Sequence, residues 1–235
     1  MTPAALVAPD RWTALVAHAT VLLQSRRVRS IQPEDEMPTR QDGTEPIIAH
    51  GSVYLRGAER EDIPLFVAWM NDYRTSRTLA IRAPLSGPLE EAWFERMVAD
   101  QGKTGYFFVA CLLADDRPIG TIGLFELDLL NGSAGLGISV GAAADRGHGR
   151  GTDMLRALLR FGFGFLRLER LWLDVYAINA GARHVYERVG FVQEGILRRA
   201  VFREGRFLDV HRMAILADEW RAGLPAGDGT APTRS

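Results

Sequence analysis

"DRGHGRGTDMLRALLRF", residues 145–161, sets Gly147, Gly149 and Gly151 among Arg146, His148 and Arg150, directly ahead of an apolar helical pattern. Free N–H groups at a helix N-terminus point outward and carry the positive end of the helix dipole, so such a mouth suits a phosphate. Glycine lets the anion come close and permits φ > 0. Arg146 and Arg150 would add charge-assisted bonds. Without a ligand, the same stretch is a plain glycine turn. A nucleotide P-loop needs G-x-x-x-x-G-K-[ST], but the lone lysine of the chain is Lys103. A dinucleotide fingerprint needs G-x-G-x-x-G in the first βα unit and an acidic residue at the end of the next strand. Here Thr152 stands where the third glycine belongs, Asp174 lies inside its strand, and several elements come first.

Those elements follow from periodicity. "GSVYLRGA" reads as a strand, Asp62 and Pro64 open a helix through "FVAWMND", and a second helix runs near 88–101. "YFFVACLLA", "PIGTIGLFELDLL" and "AGLGISVGA" are three strands, the first two joined by a turn at Asp115-Asp116. The helix after the glycine loop reaches about Arg167, with Leu155, Leu158, Leu159, Gly162, Phe165 and Leu166 on one face. "LWLDVYA" is a buried type of strand. Asn179 then caps a helix that Gly190 closes. Two strands near 191–203 and 206–216 meet in a hairpin at "REGR". Strand, two helices, three strands, helix, strand, helix and two strands make a mixed α/β domain on one sheet. Its expected span is 51–220, between an N-terminal extension (1–50) and a flexible Gly/Pro/Thr-rich tail (221–235).

Composition narrows the classes. The 235 residues are 47% hydrophobic with a net charge of −1, enough for one full core and without a basic field for nucleic acid. Cys111 is the single cysteine, which excludes a disulfide framework or cysteine metal cluster and suits the cytoplasm. It reads as core rather than as a ping-pong nucleophile. His18, His50, His184 and His211 have no ligand spacing, so no metal is expected. No apolar run reaches the roughly 18 residues of a membrane span, and no signal peptide is evident.

Downstream of the glycine loop, which fits [RQ]-x-x-G-x-[GA], stands "YAINAGARHVYERVGF", with Asn179, Tyr186, Gly190 and Phe191 in an N-x6-Y-x3-GF pattern. The chain closes with "EGILRRAVFREGRFLDVHRMAIL". Together with the element order, these motifs resemble the GNAT superfamily of acyl-CoA-dependent N-acetyltransferases, within it the RimJ/RimL-like group that includes bacterial spermidine N-acetyltransferases. The likeness covers roughly residues 52–218. It implies a mixed central sheet with helices on both faces, splayed open between "LGISVG" and "LWLDVYA", with acetyl-CoA in the gap. The pantetheine arm would pair with backbone at Ile138, Ser139 and Val140. The pyrophosphate would sit on Arg146, Gly147, His148, Gly149, Arg150, Gly151 and Thr152. A backbone N–H of this strand would polarise the thioester carbonyl.

The acceptor implied by the resemblance is a primary amine. With a pKa near 10.4, roughly one molecule in 10³ is neutral at pH 7, so a proton acceptor helps by about 4–5 kcal/mol. Glu126 is the candidate base, because spermidine acetyltransferases carry a glutamate at the matching place. Asp128, two residues on, is expected on the same side; both could equally be solvated strand-end charges. Tyr186 matches the family tyrosine that protonates the leaving thiolate, and could otherwise be a core residue beside Val185 and Val189. Asn179 has two compatible jobs, helix cap and contact to the pantetheine arm. Arg183 and His148 fit either CoA phosphates or plain surface.

The loop between the first two helices carries Arg74, Arg77 and Arg82, with Asp72 before it and Glu90 and Glu91 after. Three arginines suit an anionic acceptor (an amino acid, an amino-sugar nucleotide or a protein N-terminus) rather than a polyamine; arginines facing water are the alternative. A helix over residues 10–24, with Trp12, Leu15, Val16, Ala19, Leu22 and Leu23 on one face, is expected to dock on its own domain or a second subunit, giving a homodimer with no membrane partner. A CoA-binding sensor with little catalysis remains the competing class.

Overall fold

The computed structural model describes residues 39–223, apart from 41 and 82. Strands β1 (Ile48–His50), β2 (Val53–Gly57), β3 (Tyr106–Leu112), β4 (Pro118–Asp128), β5 (Ser133–Val140), β6 (Arg170–Tyr176), β7 (Val192–Arg203) and β8 (Arg206–Leu216) form one sheet. Their order is β1-β2-β3-β4-β5-β6-β8-β7. β5 and β6 run parallel, whereas the other neighbours are antiparallel. The helices are α1 (Ile63–Asn71), α2 (Tyr73–Ser76), α3 (Gly87–Asp100), α4 (Arg150–Leu159), α5 (Ala180–Val189) and α6 (Ala217–Ala222).

Alternation along the strands separates two cores. Leu171, Leu173 and Val175 of β6 face the same cluster as Leu155, Leu158 and Leu159 of α4 and Tyr186 of α5. On the opposite face, Phe66 and Trp69 of α1 pack with Tyr54, Val109 and Cys111. Each fully buried Leu or Phe contributes about 1.5–3 kcal/mol relative to exposure, so both faces hold their helices firmly. The expected mixed sheet with helices on both faces is therefore present.

Three differences from the sequence reading have local causes. β1 pairs with β2 in a tight hairpin, Ile48 opposite Leu55, so the expected boundary at residue 50 falls inside the sheet. Three residues are too short a run to carry a visible alternation. The helix after the glycine loop does not keep an α-helical face to Arg167. A π-helical turn takes over at Arg160–Phe165, closed by Leu166 N–H donating to Phe161 O. That wider turn rotates Phe165 into solvent, whereas Gly162 stays buried. Finally, α6 extends past residue 220. The helix expected over residues 10–24 and residues 224–235 of the tail lie outside the described residues.

Candidate active site

The gap is opened by strand geometry. β5 and β6 pair only at Ser133–Arg170, Ala134–Leu171 and Gly135–Trp172, then diverge. Beyond Gly135, β5 stays paired with β4, Ile138 opposite Ile122, Ser139 opposite Thr121 and Val140 opposite Gly120. The other edge of Leu136–Val140 has no strand partner among the described residues. An unpaired strand edge is a template for an extended ligand. Val140 is partly closed to one, because its carbonyl accepts from Arg146 Nη2 at 3.2 Å.

The glycine loop stands at the splayed end. Gly147 and Gly149 have φ of 81° and 78°, a left-handed region that side-chain-bearing residues occupy at a penalty. A Cβ at either position would meet nothing within 4 Å, so the loop faces open space. The N–H groups of Gly147, His148, Gly149, Arg150 and Gly151 have no acceptor among the described residues. The N–H groups of Thr152 and Asp153 turn back to Gly149 O at 2.9 and 3.1 Å. Thr152 is thus removed from the expected set of main-chain donors.

The two arginines are used differently from the expectation. Arg146 Nη2 donates to Thr75 Oγ1 at 2.6 Å and to the carbonyls of Val140 and Gly141, pinning the end of β5 to α2. Arg150 turns to the buried carboxylate of Asp145, which also accepts both terminal nitrogens of Arg117 at 3.0 and 2.9 Å. These guanidinium groups shape the loop from beneath. His148 is exposed above the loop, and Arg183 forms an i,i+4 pair with Glu187 on the surface of α5.

Tyr186 lies in the middle of α5, its ring 5.9 Å from that of Phe191 and 9% of the residue exposed. Its hydroxyl makes no hydrogen bond among the described residues, yet it is not a fully enclosed polar atom. Burial pushes its pKa up to about 12, so it stays protonated at neutral pH. Asn179 caps α5, its Oδ1 accepting from Ala182 N–H at 3.3 Å.

Glu126 sits on a β-bulge of β4 with φ of 49° and is exposed. Its charge acts on Arg212, which pairs through Nε and Nη2 with Asp174 at 2.9 and 2.7 Å and stacks over Trp172 at 4.2 Å. The bulge interrupts the two-residue alternation between Phe125 and Asp128, so spacing alone no longer sets which way Glu126 points relative to Asp128. Asp128 accepts from the N–H and Nδ2 of Asn131, and these bonds hold its carboxyl below the usual range.

Opposite the α4 core, β5 presents a bare floor. A Cβ at Gly135 would lie 2.3 Å from the Phe125 ring, and one at Gly141 2.2 Å from Trp69. Between these covers, Gly137 is exposed. Phe125 meets Trp172 edge-on at 5.3 Å. Sequence reasoning missed this wall, although the alternation of "RLWLDVY" already put Trp172, Asp174 and Tyr176 on one face. The loop arginines are less free than expected. Arg77 pairs with Glu204 at 3.1 Å, and Glu204 also accepts from Tyr73 Oη at 2.7 Å; Arg82 lies outside the described residues. Cys111 is fully buried, which fits core packing. Among the described residues, no group of three or more His, Cys, Asp or Glu side chains could hold a metal, and no helix is long and apolar enough to cross a membrane.

A sheet parted between two parallel strands, with a glycine-lined helix mouth at the open end, defines an acyl-CoA-dependent acetyltransferase. Residues 52–192 match the model of the acetyltransferase (GNAT) domain, and the chain belongs to that family. It is 30% identical over 168 residues to the spermidine N(1)-acetyltransferase of Vibrio cholerae, covering 71% of this chain and 94% of that one. The crystal structure of spermidine N-acetyltransferase from the same organism, in complex with CoA and spermine, superposes with a TM-score of 0.68 at 28% identity, covering 72% of this chain and 98% of the other. A dodecameric structure of spermidine N-acetyltransferase from that organism matches with a TM-score of 0.62 at 29% identity, covering 72% and 96%. The chain is an acetyl-CoA-dependent N-acetyltransferase of GNAT type.

Proposed function

We propose that the chain acetylates a primary amine by direct attack within a ternary complex, with Tyr186 as general acid and Glu126 as base. The observation that carries this reading is the unpaired edge of β5 leading to N–H groups at Gly147–Gly151 that have no acceptor among the described residues. Pantetheine would extend along Leu136–Ser139, and the pyrophosphate would take the helix mouth. The amine nitrogen attacks the thioester carbonyl. The ammonium first loses a proton through Glu126 or a water beside it; a C–N bond then forms, the C–S bond breaks, the thiolate takes its proton from Tyr186, and the second proton shed by the attacking nitrogen restores the phenol. Acetyl-CoA and an ammonium ion thus give an amide, CoA thiol and one proton.

The acceptor is proposed to be an amine bearing an anionic group. A polyamine is the second reading, favoured by the similarity to the Vibrio enzyme. A homodimer is also proposed, supported by the exposed Val192, Ile196 and Leu197 on the edge strand β7. Free-thiol release from acetyl-CoA against a panel of amino acids, amino-sugar nucleotides, peptides and polyamines tests the reaction, and light scattering tests the assembly. Acetyl-CoA binding without thiol release for any amine would turn the site into a sensor. Thermal stabilisation by NADH but not by acetyl-CoA would overturn the gap assignment.

A further inference from the structure

A positive charge that finds no counter-charge among the described residues marks a place for one from outside. Arg203, the last residue of β7, reaches across to the loop between α2 and α3. Its Nη2 donates to the carbonyls of Leu79 at 2.8 Å and Ile81 at 3.4 Å, and its Nη1 to that of Phe202 at 3.0 Å. All three acceptors are neutral. Among the described residues no carboxylate pairs with it, and its Nε is buried without an acceptor. Nearby arginines differ: Arg77 has Glu204, Arg212 has Asp174, and Arg170 has Glu194.

The location matters as much as the charge. The guanidinium stands 5.6 Å from the centre of the Tyr176 ring. Tyr176 ends β6, and alternation puts it on the face of Trp172 and Asp174, away from the core that takes Leu171, Leu173 and Val175. Arg203 therefore lies at the splayed end of the sheet, on the α1–α3 side, bonded to the loop between α2 and α3. A guanidinium that is only partly bonded, half-buried and next to an aromatic face selects for a carboxylate and repels a second cation.

We propose that Arg203 binds a carboxylate of the acceptor, so that the acceptor class is an amino acid or a peptide and not a polyamine. The inference rests on the acyl-transfer reading. Its test uses the full chain and pairs of acceptors that differ only in the carboxylate: L-amino acids and dipeptides, each beside its decarboxylated or amidated counterpart, with spermidine included. The wild type should prefer the carboxylated member of a pair by at least about tenfold. Arg203→Gln should raise KM for that member roughly 10–100-fold, in line with loss of a charged hydrogen bond, and leave the decarboxylated member and the KM for acetyl-CoA unchanged. Arg203→Lys, which keeps the charge, should restore part of the preference. Stabilisation of each variant by acetyl-CoA reports that it is folded.

Three outcomes overturn the assignment: equal losses on both members of a pair, which make Arg203 a clasp for the loop; a raised KM for acetyl-CoA, which makes it a CoA phosphate ligand; and preference of the wild type for spermidine. Absence of thiol release from the wild type with every amine refutes the acyl-transfer reading instead.

Discussion

The two sides of the gap, acyl-donor and acceptor on the proposed reading, are assembled by opposite means. The proposed donor side is one continuous run, from Leu136 on β5 to Gly151 on α4, and what it offers is main chain: a strand edge and five N–H groups without acceptors among the described residues. Its arginines, Arg146 and Arg150, are bonded inward and act as braces. The proposed acceptor side is a set of side chains from distant segments: Trp69 on α1, Phe125 and Glu126 on β4, Trp172 and Tyr176 on β6, and Arg203 on β7. One side can keep its chemistry through side-chain replacement as long as backbone conformation survives. The other changes specificity with single substitutions. The largest effects should therefore come from backbone changes on the donor side, and the selective ones from side-chain changes opposite.

Gly149→Asp should have the largest effect. It forces a side chain into φ of 78° and puts a negative charge at the helix mouth. Calorimetry should show acetyl-CoA binding weakened by at least about 10²-fold, as expected when a main-chain anion site is filled by an anion. Ile138→Val and Ser139→Ala, which change side chains alone on the same run, should leave that affinity within about twofold. If these two weaken binding as much as Gly149→Asp, the donor side reads side chains after all.

Tyr186→Phe comes next. The hydroxyl has no partner among the described residues, so its removal should leave the melting temperature nearly unchanged. The value of kcat should fall roughly 10²-fold, the usual range for a general acid, with acetyl-CoA affinity retained. Because burial pushes the phenol to about 12, its ionisation lies above the range in which the amine titrates. Full activity of the variant would return Tyr186 to packing alone. Glu126→Gln should act more weakly, about tenfold at pH 7, and the defect should shrink toward pH 10 as solution supplies neutral amine. A defect constant across that range would move the base elsewhere, and Asp128 is a poor heir because Asn131 already uses both its oxygens.

The same contrast explains what the sequence made legible. The glycine loop, the strand before it and the N-x6-Y helix are local runs whose roles depend on backbone conformation, so spacing alone announces them. The splay came only as what the resemblance to the GNAT superfamily implied; the order of elements by itself announced a mixed α/β sheet. The partners of Arg146, Arg150 and Arg77 were not legible, because a guanidinium on a long side chain turns toward whichever carboxylate or carbonyl the fold brings near. Arg203 gave no signal at all: its meaning comes from Leu79, Ile81 and Tyr176, none of them near it in the chain. The bulge at Glu126 was hidden for a different reason. One extra residue in an apolar strand leaves hydrophobic content unchanged while shifting every later side chain to the other face.

The smallest expected effect tests whether the acceptor side holds a strained charge as well as selective ones. Glu90 on α3 is 7% exposed, and burial raises its pKa without a cation or hydrogen bond to oppose it. A carboxyl that is a weaker acid in the folded chain than in the unfolded one binds its proton more tightly when folded. Its contribution to stability is present below the unfolded value, near about 4.3, and is lost as pH rises through the folded value. Glu90→Gln keeps the shape and cannot ionise. The variant and the wild type should therefore melt together near pH 4, with the variant higher by about 1–3 °C at pH 7, the shift expected of a fraction of a kcal/mol in a domain of this size. Kinetics on the preferred acceptor should not change, since the carboxyl is buried in the helix layer. A wild type that melts above the variant at pH 7 would mean that Glu90 ionises against a counter-charge, and the acceptor wall would then hold its acids as deliberately as it holds Arg203.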